Sequence, residues 1–165
     1  ADWIFVAGHY PVFSTAEHGD TESLKTHLLP LLERYEVDAY FCGHDHSLQA
    51  FSYSDVEFYV SGNGGKRGYL NPWTGSATLR FARIDPGFTL HEVSRDTMRV
   101  SFVNRNGTVV YSFAQPRRLR AAADGDDGGG SSASSGLTPA ELAGVVAAGV
   151  AGGAAGGGGA PGGAG

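Results

Sequence analysis

A chain of 165 residues is long enough for one domain with a real core, but its composition divides it: all 12 Lys and Arg lie at or before Arg120, while 16 of the 26 Gly lie after it. Residues 1–120 carry 13 Asp and Glu against those 12 bases, so the net charge of −5 belongs mainly to the last 45 residues, and no basic face recommends nucleic acid as a partner. One cysteine, Cys42, excludes an intrachain disulfide and, set in an apolar stretch, reads as a buried structural thiol rather than a nucleophile.

Residues 3–7, Trp-Ile-Phe-Val-Ala, are predicted to form a strand apolar on both faces, which belongs inside a sheet with neighbours on either side. The chain enters it directly, with no initiator Met and no signal-like leader, so the sequence reads as a fragment of a larger domain. Residues 21–35 predict a helix with Leu24, Leu28, Leu31, Leu32 and Tyr35 on one apolar face, kinked or split near Leu29 by Pro30. Residues 37–42 predict a second buried strand. Strand, helix, strand in that order suggests a parallel pair with a crossover helix, a fold that gathers ligands at the carboxyl ends of its strands.

From residue 51 the pattern changes to short strands at 51–53, 56–61, 77–84, 88–93, 98–104 and 108–113. Asn106-Gly107 supports a hairpin between the last two, with Met98, Val100, Phe102 and Val110 turned to the core. Residues 62–75 form a glycine-rich loop. Beyond residue 118 the Ala, Gly, Ser and Asp composition cannot bury enough apolar surface to offset chain entropy, and residues 119–165 are expected to be a disordered tail. Thr138-Pro139-Ala140-Glu141 is a capping box, so a short helix is expected over 138–148, too short to span a bilayer.

Both predicted buried strands end in histidine motifs: Gly8-His9-Tyr10-Pro11 after the first, Gly43-His44-Asp45-His46 after the second. In His-x-His the two imidazoles share a side, so His44 and His46 can reach adjacent points of one cavity while Asp45 turns away. Neutral imidazole is a good ligand for zinc and iron, and three histidines at two strand ends point to a metal site. Asp45 reads as an orienting or turn residue, Tyr10 and Pro11 as turn-shaping, and Glu17 as a neighbour able to assist His18. His27 and His91 read as structural. Asn63 either lines the pocket or serves a left-handed backbone in its glycine loop.

The segments Val6-Ala7-Gly8-His9-Tyr10-Pro11-Val12, Ala16-Glu17-His18-Gly19 and Cys42-Gly43-His44-Asp45-His46-Ser47-Leu48-Gln49 resemble the second half of the purple acid phosphatases, in particular their small tartrate-resistant (type 5) form, of the calcineurin-like metallophosphoesterase superfamily. The resemblance covers residues 1–118 and implies an α/β fold: the C-terminal half of a calcineurin-like β-sandwich flanked by helices. It implies an acid phosphatase that hydrolyses phosphate monoesters, small or protein-borne, with a dinuclear centre of iron(III) and iron(II), zinc or manganese. His9 and His44 then match the ligands of the divalent ion, His46 matches a ligand of the iron(III), and His18 matches the catalytic histidine beside the substrate phosphate, placed to protonate the leaving alkoxide. Family habit implies a secreted, lysosomal or vacuolar location, and no membrane partner. The family's Asp-x-Gly, Gly-Asp-x-x-Tyr and Gly-Asn-His segments lie upstream of the matching part, and Gly62-Asn63-Gly64 lacks the histidine of the last. Three readings therefore stand: part of a full phosphatase, inactive alone; a non-catalytic metal-binding remnant or scaffold; or a phosphodiesterase of the same superfamily.

Overall fold

The computed structural model describes residues 2–120 and, as backbone only, Val145–Ala148. The elements in chain order are β1 (Phe5–Ala7), α1 (Glu22–His27), α2 (Leu29–Arg34), β2 (Ala39–Cys42), β3 (Leu48–Tyr53), β4 (Val56–Ser61), β5 (Thr78–Arg83), β6 (Gly87–Val93), β7 (Thr97–Asn104), β8 (Val109–Pro116) and β9 (Val145–Ala148). They form two sheets, ordered β1-β2-β4-β3-β5 and β8-β7-β6-β9. In the first, β1, β2 and β4 run parallel, so the expected parallel pair with a helical crossover is present; β3 and β5 add on antiparallel. The second sheet is antiparallel throughout.

Alternating side chains along β2, β3 and β4 give the first sheet two apolar faces. Tyr40, Cys42, Phe51, Phe58 and Val60 meet Leu29, Leu32, Val12 and Phe13 on the helical side. Ala39, Leu48, Ala50 and Tyr59 meet Met98, Val100 and Phe102 of β7 on the other. The order is helices, sheet, sheet: a β-sandwich flanked by helices on one face. The Asn106-Gly107 turn closes β7 to β8, with Gly107 at φ +78° and the Asn104 Oδ1 accepting from the Asn106 and Thr108 N–H groups.

Pro30 splits the helix as expected. It lacks an N–H and its ring collides with a carbonyl one turn back, so it is tolerated in the first turn of a new helix, α2, with Leu28 as the junction. The split rotates the apolar face. Leu29 and Leu32 are buried, while Leu31 and Tyr35, expected on that face, point to solvent. Among the described residues β1 pairs with β2 alone and its residues are exposed or half-buried, so the strand expected inside a sheet is an edge strand here. At the end of the predicted 138–148 helix, Val145–Ala148 is instead a strand paired with β6. Residues 121–144 and 149–165, where most of the expected tail falls, lie outside the described residues. Arg120 lies against the sandwich, its Nη2 donating to the buried Asp38 carboxylate at 2.6 Å and to the Glu36 carbonyl at 2.6 Å. No helix among the described residues is long and apolar enough to cross a membrane.

Candidate metal and phosphoester site

The segment after β1 does not run over the surface. Pro11 through Ala16 are buried, and Phe13 packs edge-on to Phe58 in the helical-side core, a burial worth about 1.5–3 kcal/mol. Buried loop backbone must find partners, and a polar network supplies them. Ser14 N–H donates to the Asp20 carboxylate at 2.9 Å, Thr15 N–H to the Gln49 Oε1 at 2.8 Å, and Gln49 Nε2 to the hydroxyls of Ser14 (3.0 Å) and Ser47 (2.7 Å). Gly19, at φ +68°, then turns the chain toward α1. His9 and His18 are thereby carried at the two ends of a segment fixed in the core.

The second motif follows β2, the strand next to β1. Gly43 N–H donates to the His9 carbonyl at 3.1 Å, tying the two histidine loops together. Two glycines permit this crowding: a Cβ on Gly8 would stand under 3.0 Å from the Tyr40 hydroxyl, and one on Gly62 under 3.0 Å from the Asp45 carbonyl. His44 itself sits at φ +62°, a left-handed backbone uncommon outside glycine and frequent at functional sites.

Of the four predicted site histidines, three come together as one cluster. His9 Nε2 lies 3.1 Å from His44 Nδ1. The His18 and His44 rings stand 4.5 Å apart, and Tyr10 lies over His44 at 4.3 Å between centroids. His46 touches none of these rings; it is half-buried, close enough to act on the charge of His44, and its Nδ1 is sealed from solvent without a partner. Burial lowers the His44 pKa below the ordinary histidine value and His18 lowers it further, with Asp45 opposing, so the neutral form that binds metals is favoured. Two imidazole nitrogens bound to one zinc at 2.0–2.1 Å each stand about 2.9–3.4 Å apart in neighbouring positions. The His9–His44 separation falls in that range, and the residues present fit a metal.

The sequence alone did not reveal how Asp45 is used. It is fully buried, its Oδ1 2.5 Å from His18 Nδ1 and its Oδ2 accepting from the Ser14 hydroxyl. His18, His44 and Asp45 together form the group of potential ligand atoms lying within 4.8 Å of one another among the described residues. With both oxygens engaged, Asp45 fixes the His18 ring with Nδ1–H inward and Nε2 turned toward Glu17, 3.7 Å away. Its only trace in the sequence is its place between two histidines; the partner Ser14 carries no motif. Beside this loop, Ser14, Asp20, Asn71, Trp73 and Gly75 help line a cavity of about 230 Å³. His27 is exposed and His91 is buried in the sandwich, outside the histidine cluster. Cys42 is buried with its Sγ 3.5 Å from the Tyr59 carbonyl, and burial pushes its pKa far up, as suits an inert thiol.

Residues 1–48 match the family model described as calcineurin-like phosphoesterase, the class that fits the sandwich described above. Within that class, the chain is similar to the purple acid phosphatases. It is 39% identical over 127 residues to the human tartrate-resistant acid phosphatase type 5, covering 72% of this chain and 39% of that protein. It is 37% identical to purple acid phosphatase 4 of Arabidopsis thaliana, covering 72% of this chain and 36% of that one. The chain thus spans about two fifths of the length of the curated relatives it matches. Among solved structures, GAP50, the anchor in the inner membrane complex of Plasmodium, superposes with a TM-score of 0.69 at 30% identity over 73% of this chain and 38% of its own.

Proposed function

We propose that this chain contributes the histidine-bearing half of a dinuclear phosphoesterase centre, and that the protein built around it is an acid phosphatase acting on phosphate monoesters. The observation that carries the reading is the 3.1 Å approach of His9 Nε2 to His44 Nδ1 at the ends of two adjacent parallel strands. His9 and His44 would hold the divalent ion and His46 would hold iron(III), with residues 1–118 as the phosphatase part and the remainder as a tail. When bound, such a pair of ions supplies the positive charge that activates water and neutralises phosphoryl oxygens. His18 presents its Nε2 to the leaving oxygen and gives up a proton there, while Asp45 holds the Nδ1–H and stabilises the ring's orientation. A secreted, lysosomal or vacuolar location accompanies this reading.

A second reading has its own support. The likeness to a Plasmodium protein described as an anchor favours a non-catalytic scaffold on the same fold. Three imidazoles fall short of two filled coordination spheres, so this chain alone is expected to turn over a chromogenic phosphate ester negligibly. Zinc titration of the full chain separates the readings: stoichiometric binding lost in His9→Ala and in His44→Ala supports the metal centre, and absence of binding supports the scaffold. Robust phosphatase turnover by the chain alone would overturn the view that it supplies only part of the centre.

A further inference from the structure

Asn63 is completely buried, and neither its Oδ1 nor its Nδ2 has a hydrogen-bond partner. Leaving such a group unpaired costs about 1–3 kcal/mol, and an apolar residue of similar shape would avoid that cost. The backbone does not explain the residue: the non-glycine positions with positive φ among the described residues are Glu36, His44, Ser54 and Asp55, so Asn63 is not there for a left-handed turn.

The ladder locates its neighbour. Leu48 pairs with Ser61 where β3 meets β4, and Gly62 N–H donates to the Ser47 carbonyl at 3.1 Å. Continued one position past that bond, the same register sets His46 opposite Asn63. Directly opposed residues share a face, and side chains alternate along a strand. That register puts His46 and Asn63 in line with Leu48 and Ser61, on the side of the second sheet, where Thr89 N–H reaches the Ser61 hydroxyl and Gly87 N–H reaches the Asn63 carbonyl. The buried, unpartnered nitrogen of His46 is Nδ1. Two orphaned polar groups, one a ring nitrogen and one an amide, thus occupy neighbouring cross-strand positions.

A histidine bound to a metal through one nitrogen is held in place by an acceptor on the other N–H. We infer that Asn63 is a positioning residue for His46: its Oδ1 accepts the His46 Nδ1–H when the ring is turned to bind a metal through Nε2. The inference rests on the metal centre proposed above. It also accounts for the unsatisfied buried amide, since the pair closes only in the metal-bound ring orientation.

The test is a zinc competition titration on the full chain with a chromophoric chelator, following the second equivalent of zinc, which stands in for iron(III) at His46, and comparing wild type, Asn63→Ala, Asn63→Asp, His46→Ala and the double variant. Asn63→Ala should weaken zinc binding by about 10–100-fold, the usual effect of losing such a partner, and Asn63→Asp, which keeps an acceptor, should recover most of it. In the His46→Ala background, Asn63→Ala should add nothing. Metal-free thermal unfolding supplies a readout that a packing role would move the other way: removing two unpaired polar atoms should leave the midpoint unchanged or raise it. If Asn63→Ala folds poorly, Asn63→Leu, nearly the same shape, replaces it in each comparison. Unchanged zinc affinity in Asn63→Ala or Asn63→Leu, or a loss that adds to that of His46→Ala, would overturn this assignment alone. Absence of zinc binding by the wild-type chain would overturn the metal centre and this assignment together.

Discussion

His91 makes the stability of this fold depend on acid. It lies on β6 between the sheets, almost fully buried, its ring edge-on to Phe41 and Tyr59 at 4.8 and 5.0 Å, and neither nitrogen has a partner. Burial alone lowers its pKa from 6.5 to about 4. Because the folded pKa lies below the unfolded one, the unfolded chain binds the proton more readily. The folded state keeps its full stability above pH 6.5, loses it as pH falls, and stops losing near pH 4. At 1.36 kcal/mol per pH unit the whole effect is on the order of 3 kcal/mol, of which about 2 is already lost at pH 5. Replacing His91 with Leu removes the titrating group and two unpaired nitrogens. Urea unfolding of wild type and His91→Leu at pH 7 and pH 5 should show the variant's advantage growing by about 2 kcal/mol between the two, with similar m-values. An advantage equal at both pH values would mean that the imidazole finds water or another partner and does not titrate with folding.

Other positions give sharp outcomes. Gly62→Ala forces a Cβ against the Asp45 carbonyl, and should cost about 1–3 kcal/mol in urea unfolding while reducing zinc uptake, since the displaced loop carries His44 and His46. Arg120→Ala leaves the Asp38 carboxylate, 1% exposed, with the Ile4 N–H as its remaining donor; a loss of about 2–3 kcal/mol is expected, and a loss below 0.5 kcal/mol would show that residues 117–120 do not hold the sandwich. In a protein carrying the complete ligand set, His18→Ala should lower turnover about 10²–10⁴-fold, most for poor leaving groups, with metal content unchanged. Equal slowing for good and poor leaving groups would remove the proton-donor role.

The parts of this fold visible in the sequence are those fixed by local chemistry. The β1 and β2 runs end in Gly-His because the chain turns at a strand end. Pro30 had to break the helix because of its own ring, and β4 was read to its exact span, Val56–Ser61, from an apolar run between turns. What stayed hidden depends on tertiary partners. The burial of 11–16 follows from Phe13 filling a gap among Phe51, Tyr53 and Phe58, which no local pattern announces. Leu31 and Tyr35 turn outward because the junction at Leu28 resets the helical phase. Asp45 was legible as an orienting residue, but its partners His18 and Ser14, 27 and 31 residues away, come from another loop. The strand at Val145–Ala148 pairs with β6, over fifty positions distant in the chain, against a local capping box that favours helix.

In the proposed centre His9 and His44 grip one ion from two adjacent strand ends. Crystals of the full chain grown with zinc, with anomalous scattering recorded on both sides of the zinc edge, test it most directly. An anomalous peak is expected about 2.0–2.1 Å from both His9 Nε2 and His44 Nδ1, with Asp45 still bound to His18 and outside the coordination sphere. A peak held instead by His18 and Asp45, or no peak near His9, would contradict it.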